Sequence, residues 1–166
     1  MSDNEFAVLY DRHFTKVYNY VSYRVGDPAA ADDVVSRVFE RALDRLDTYK
    51  PASGPLEAWL FGIARNAVAD HFRARRWFSW LPLDFLHETS SRETKHEDSL
   101  VQDESRGELR RALERLSPRE RELLALKYGA EMTNRDIAKQ LGLGESNVGV
   151  IVHRAVEKLR AALEKP

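Results

Sequence analysis

Two sets of side chains in this 166-residue sequence have types and spacings suited to gripping nucleic acid. Near the C-terminus, Ser146, Asn147, Val150, His153 and Arg154 recur at helical intervals just after the turn Leu141-Gly-Leu-Gly144. On a helix they form one outward face. Its hydroxyl, amide, imidazole and guanidinium groups can hydrogen-bond base edges or phosphates, and its valine can touch a thymine methyl. In the middle of the chain, Arg65, Asn66, Arg73, Arg75 and Arg76 offer donors along one helix face with Phe72 beside them, a pattern suited to a phosphate track and stacked bases. Neither set decides the matter alone. The first also fits a plain helical hairpin in which Val150 and Ile151 extend a core stripe, and the second fits an ordinary solvated surface.

Catalysis finds less support. The sequence has no Gly-rich phosphate loop, no HExxH and no GxSxG. Its five histidines (13, 71, 87, 96 and 153) are far apart, and no two have ligand spacing on one helix. Asp70 and His71 are adjacent and so diverge; His71 reads as a partly buried core residue, and His87 and His96 as solvated. The expectation is a non-enzyme with no cofactor and no metal. The absence of cysteine excludes disulfides and thiolate metal sites and fits a reducing cytoplasm. The opening MSDNEFAVLY lacks a signal pattern, and no apolar run reaches the ~18 residues of a membrane span. The expected location is cytoplasmic.

The elements that must position these groups are helices. Phe6, Leu9, Tyr10, Phe14, Val17 and Val21 have helical spacing, and Gly26 closes that segment. Asp27-Pro28 is an N-cap followed by a first-turn proline, opening a helix whose buried stripe is Val34, Val35, Val38, Phe39, Ala42, Leu43 and Leu46. YKPASGP (Tyr49 to Pro55) is a loop. A third helix from Leu56 to Arg76 turns Trp59, Leu60, Ile63, Ala67 and His71 inward and Arg65, Arg73 and Arg76 outward. A polar, acidic tether follows from about His87 to Ser105. Beyond it, Leu109, Ala112, Leu113 and Leu116 form a short helix. Ser117-Pro-Arg-Glu120 is a capping box, Thr133-Asn-Arg-Asp136 a second box-like start, and Gly142 a left-handed helix end. In the last helix Val148, Val152, Ala155, Val156 and Leu159 point inward. The fold class is all-α: two small helical domains, 1–76 and 105–166, joined by a flexible linker at 77–104. Net charge is only −1, but it is distributed as −2 over 1–50, +2 over 51–76, −5 over 77–104 and +4 over 105–166. Two mildly basic blocks flank an acidic one.

Together these pieces resemble a known family. DPAAADDVVSRVFERALDRLDTYKPASGPLEAWLFGIARNAVADHFRARR is similar to the promoter-melting domain 2 of extracytoplasmic-function (ECF) sigma factors. ALERLSPRERELLALKYGAEMTNRDIAKQLGLGESNVGVIVHRAVEKLR is similar to their −35-binding domain 4, a helix-turn-helix. The resemblance implies a dissociable RNA polymerase subunit that recognises −10 and −35 elements, melts promoter DNA and directs initiation. It implies that Asp32, Asp33, Val35, Arg37, Val38 and Phe39 dock on the clamp helices of the largest polymerase subunit, and that the flap of the second-largest subunit is a further contact. It assigns the −10 region to Tyr49, Lys50, Ser53, Arg65, Asn66, Asp70, Arg73 and Arg76, with the Tyr49–Pro55 loop receiving a flipped base. The −35 element falls to Arg135, Ser146, Asn147, Gly149, Val150, His153 and Arg154. An anti-sigma factor is an expected partner, and the free chain is expected to be a monomer without membrane insertion.

This sequence departs from the family pattern at Gly144, where serine is usual, at Gly149 and Ile151, where basic residues are usual, and at Arg37, where glutamate is frequent. Base reading therefore shifts toward Ser146, Asn147, Val150, His153 and Arg154. The aromatic run Trp77–Leu86 reads first as packing, then as a partner patch, and last as a membrane-surface contact. The rival functions are a helix-turn-helix regulator acting without polymerase and a helical adaptor binding only protein.

Overall fold

The computed structural model describes residues 3–79 and 100–164. The first unit is α1 (Asp3–Val25), α2 (Pro28–Asp44) and α3 (Leu56–Ser79). The second is α4 (Leu100–Glu114), α5 (Pro118–Leu124), α6 (Asn134–Leu141) and α7 (Glu145–Leu163). No strand occurs among the described residues. α3 and α4 extend into the 77–104 stretch from both sides, so the end of the expected tether is helical. The reading of the Trp77–Leu86 run lies outside the described side chains.

Local chemistry explains the boundaries. The Asp27 carboxylate accepts from the Ala30 amide at 2.9 Å and Pro28 occupies the first turn of α2. Ser117 and Glu120 complete a reciprocal capping box at α5, satisfying two donors that a helix start leaves free. At α6 the Thr133 hydroxyl accepts from the Asp136 amide and donates to its carboxylate at 2.6 Å. Gly142 ends α6 at φ 65°, and the following Leu143 amide donates back to Ala138. That turn directs α7 across α6 and completes the helix-turn-helix.

One deviation has consequences. α5 does not run straight on to Gly129; Ala125–Gly129 widens into a π-helical turn, where the Ala130 amide reaches the Ala125 carbonyl at 2.9 Å. This wide turn lies against α1. A methyl group on Gly129 would sit 2.8 Å from the Tyr20 backbone nitrogen and 2.9 Å from its Cα, so only glycine permits the approach.

The two units pack on each other, and one apolar cluster runs through both. It joins Val17, Tyr20, Val21, Leu60 and Phe61 of the first to Leu123, Leu126, Ile137 and Val148 of the second. Tyr20 and Phe61 meet edge to face, with ring centroids 5.6 Å apart. The sequence reading placed Leu60, Ile63 and Ala67 inward, as found, but Phe61, Ala64 and Val68 are buried as well. α3 has a broad buried sector because it serves two partners, α2 on one side and α6 on another. Conversely, Leu43 is 52% exposed, and Tyr10 and Leu109 also lie on the surface although the spacing turned them inward. Leu43 stands one residue from the end of α2 and forms part of a groove wall.

Candidate nucleic-acid and polymerase interface

Three surfaces carry the predicted residues. The first is the Tyr49–Pro55 loop with the start of α3. Pro51–Ser53 forms a single 3₁₀ turn, and the Tyr49 hydroxyl donates to the Gly54 carbonyl at 3.0 Å, closing the loop on itself. The Tyr49 and Trp59 rings lie 5.6 Å apart. Between them is a cavity of about 300 Å³ bounded by Thr48, Tyr49, Lys50, Ser53, Trp59 and, from the second unit, Gln140. That volume is at the lower edge of small-molecule sites, and its aromatic walls suit a planar ring.

Along α3 from this cavity, Asn66, Arg73 and Arg76 are exposed. Asp70 is held by Arg41 at 2.8 Å and by Arg73 at 3.1 Å, so it orients the guanidinium groups rather than standing free. Arg65 does not join the open face. Its Nε donates to the Glu122 carboxylate at 2.7 Å, and its Nη1 lies 3.4 Å from the Gln140 carbonyl. His71 is half-buried with Nε2 unpartnered, as its core reading implied. Burial foremost, with the nearby Arg75 and Arg37, holds its pKa below the ordinary histidine value.

The second surface is α7. Ser146, Asn147, Val150, His153 and Arg154 are all exposed, with Val150 at 46%, while Val148, Val152 and Ala155 are buried beneath them. Arg135 is exposed on α6. Gly149 is only partly exposed and faces α6; a Cβ there would meet the Asn134 amide nitrogen at 3.5 Å. It therefore belongs to the edge of the reading face, and Ile151 is half-buried against the core. Gly144 caps α7 without a side-chain hydrogen bond, as expected from the missing serine. Glu120 also braces α7 through Lys158; chiefly this contact, aided by the Ser117 cap, holds its carboxyl below the ordinary range.

The third surface is α2. Asp32, Asp33 and Arg37 are exposed, whereas Val35, Val38 and Phe39 are buried. The polar residues are available to a partner, and the apolar ones shape the helix beneath them. Sequence reading assigned the α1 aromatics to the core, but Phe6, Tyr10, Phe14 and Tyr18 line an open groove with Val35 and Phe39, about 470 Å³ in volume. Tyr10 lies 4.6 Å from Phe39 between ring centroids. Ring sizes and the nearby acidic pair at 32–33 were the available signal. Glu122 and Gln140 were missed altogether, because their importance comes from contacts 57 and 82 residues away. His13 was also missed: it is buried on α1 with Nδ1 unpartnered, and desolvation is the main cause lowering its pKa.

Comparison with known proteins agrees with this division. A sequence model described as Sigma-70 region 2 matches residues 9–78, and one described as Sigma-70, region 4 matches residues 106–159. The chain is 34% identical over 158 residues to the ECF RNA polymerase sigma factor BldN of Streptomyces coelicolor, covering 95% of this chain and 60% of that relative's length. It is 31% identical over 157 residues to the ECF RNA polymerase sigma factor SigL of Mycobacterium tuberculosis, covering 95% of this chain and 88% of the relative. In fold it resembles the sigma factor RpoE of Bartonella quintana, solved with the anti-sigma factor NepR, at TM-score 0.73 and 22% identity, covering 97% and 98% of the two chains. It also resembles CnrH, solved with the cytosolic domain of CnrY, at TM-score 0.72 and 24% identity, covering 98% and 90%. With both signatures in order along a helical chain, and a relative matched over most of its length, this protein belongs to the ECF family of RNA polymerase sigma factors.

Proposed function

We propose that this chain binds core RNA polymerase in the bacterial cytoplasm and directs it to promoters with a two-part recognition element. The observation that carries this reading is the pairing, within one chain, of a strand-sized aromatic cavity beside an arginine-bearing helix with a separate open helix-turn-helix. Asp32, Asp33 and Arg37 face the polymerase clamp, and the α1–α2 aromatic groove adjoins that contact. The Tyr49–Trp59 cavity takes a base flipped from the −10 strand, while Lys50, Asn66, Arg73 and Arg76 hold its backbone. Flipping costs a few kcal/mol, so a ready-made aromatic slot lowers the barrier to melting. Val150, His153 and Arg154 read the −35 groove. Polymerase supplies much of the affinity, which accounts for a sigma factor of near-zero net charge. An anti-sigma factor is the expected antagonist, as for the two structural neighbours solved with theirs.

The test combines the purified chain with bacterial core polymerase and fragmented genomic DNA, followed by sequencing of transcript 5′ ends. New start sites sharing two spaced upstream elements are expected. Duplex binding with no polymerase-dependent starts identifies a regulator instead, and absence of both DNA and polymerase binding identifies an adaptor.

A further inference from the structure

We propose that the second unit is a built-in cover for the strand-holding face of the first, and that unpaired DNA gains this face only when Glu122 releases Arg65 and Gln140 leaves the Tyr49–Trp59 cavity. The proposal rests on reading that face as the −10 strand site.

Two contacts form the cover. The Glu122 carboxylate accepts from Arg65 Nε at 2.7 Å, taking the place a phosphate would take on the same guanidinium. The Gln140 side chain donates to the Ala58 carbonyl at 3.1 Å, walls the cavity beside Trp59, and lies over Gly62, where a Cβ would come within 3.7 Å of its amide nitrogen. A carboxylate and an amide thus occupy the positions of a phosphate and a base. The remaining donors, Asn66 and Arg73, stay exposed, leaving one end of the track open to a strand.

The closure also has a fulcrum and a weak point. The fulcrum is Gly129, whose missing side chain lets the π-helical turn rest on the Tyr20 backbone. The weak point is Tyr20 itself. Its hydroxyl is buried with no hydrogen-bond partner, and such a group forfeits its water without compensation. Both ion-pair partners keep some solvent access, Arg65 at 31% and Glu122 at 19%. The seam is therefore able to open: parting the units hydrates the phenol and exchanges one carboxylate for another anion.

The experiment uses the full-length chain without polymerase. The sequence has no cysteine, so Asp44→Cys and Glu164→Cys accept a dye pair that reports the separation of the units by energy transfer. The ligand is a short, labelled, mixed-sequence single-stranded DNA followed by anisotropy. Gly129→Ala forces a methyl into the seam; it is expected to lower energy transfer and tighten strand binding at least about fivefold. Glu122→Gln leaves the fold intact and is expected to tighten it about two- to fivefold. Arg65→Ala opens the seam with no gain, because it removes the grip as well. Opening without tighter binding overturns the proposal, and so does unchanged transfer and affinity in both Gly129→Ala and Glu122→Gln. Should Gly129→Ala lose helical circular dichroism, Glu122→Gln decides alone. Promoter-specific starts with core polymerase, unaccompanied by any gain in these variants, would leave the sigma-factor reading standing and remove the cover. Gains without such starts do the reverse.

Discussion

The two DNA-facing helices of this protein stand in opposite states. α7 shows Val150, His153 and Arg154 to solvent and buries only the stripe beneath them, so its reading face is complete as it stands. α3 is flanked on two sides, with α6 beside its start and Glu122 on its first arginine, so its face is only partly available. A helix that reads paired bases in a groove can remain open, because duplex DNA presents the same edges at all times. A helix that holds unpaired bases has nothing to hold until the duplex parts, and its aromatic and cationic groups can meanwhile serve internal contacts. Its availability is then a property of the whole chain.

The largest expected effect tests whether the units share one core. Phe61→Ala removes a fully buried ring at the Tyr20 contact and is expected to cost about 3–5 kcal/mol in urea unfolding, with both units melting in one transition. Two separate transitions, only one of them shifted, would show that the units do not depend on one another. Next comes Arg154→Ala on the open helix, expected to weaken −35 duplex binding by about 1–3 kcal/mol and to reduce promoter-specific transcripts while leaving polymerase binding intact. Undiminished specific initiation removes Arg154 from the reading face.

Ser117→Ala breaks the box at α5 and is expected to cost about 1 kcal/mol, seen as a lower midpoint at an unchanged denaturant slope. Gly149→Ala is expected to stabilise α7 by about 0.5–1 kcal/mol, since the added methyl meets only Asn134 at an ordinary distance. A loss of stability there would mean that the α6–α7 contact cannot yield. The smallest effect is the pH response. His13 and His71 both have folded pKa values lowered from 6.5, so the folded chain binds protons less readily than the unfolded one. Their contribution is complete above that value and declines as pH falls below it. Thermal midpoints are expected to drop from pH 7 toward pH 5, with a shallower slope in His13→Phe if its ring is accommodated.

The features legible in sequence are those whose cause is local. Asp27, Ser117, Thr133 and Gly142 act within a few residues of themselves, so a cap or a left-handed stop can be read directly. The α7 face was legible because a single stripe is buried beneath it. α1 and α3 were harder: each meets the other unit as well as its own, so one apolar stripe per helix understates the burial of Phe61, Ala64 and Val68. The partner of Arg65 was invisible for the same reason. An arginine on a helix surface has the same spacing whether water or a distant glutamate faces it. The aromatic groove was mistaken for core because rings that pack on one another satisfy helical periodicity even when one side remains open.

The wide turn at Ala125–Gly129 amounts to one surplus residue spliced into otherwise regular winding. Deleting a single codon there restores the ordinary pitch and turns everything downstream by about 100°. Such a deletion would re-aim the groove-reading helix relative to the melting module in one step. Variation in length at this spot is thus a more abrupt way to alter the span between two recognised promoter elements than any exchange of surface side chains.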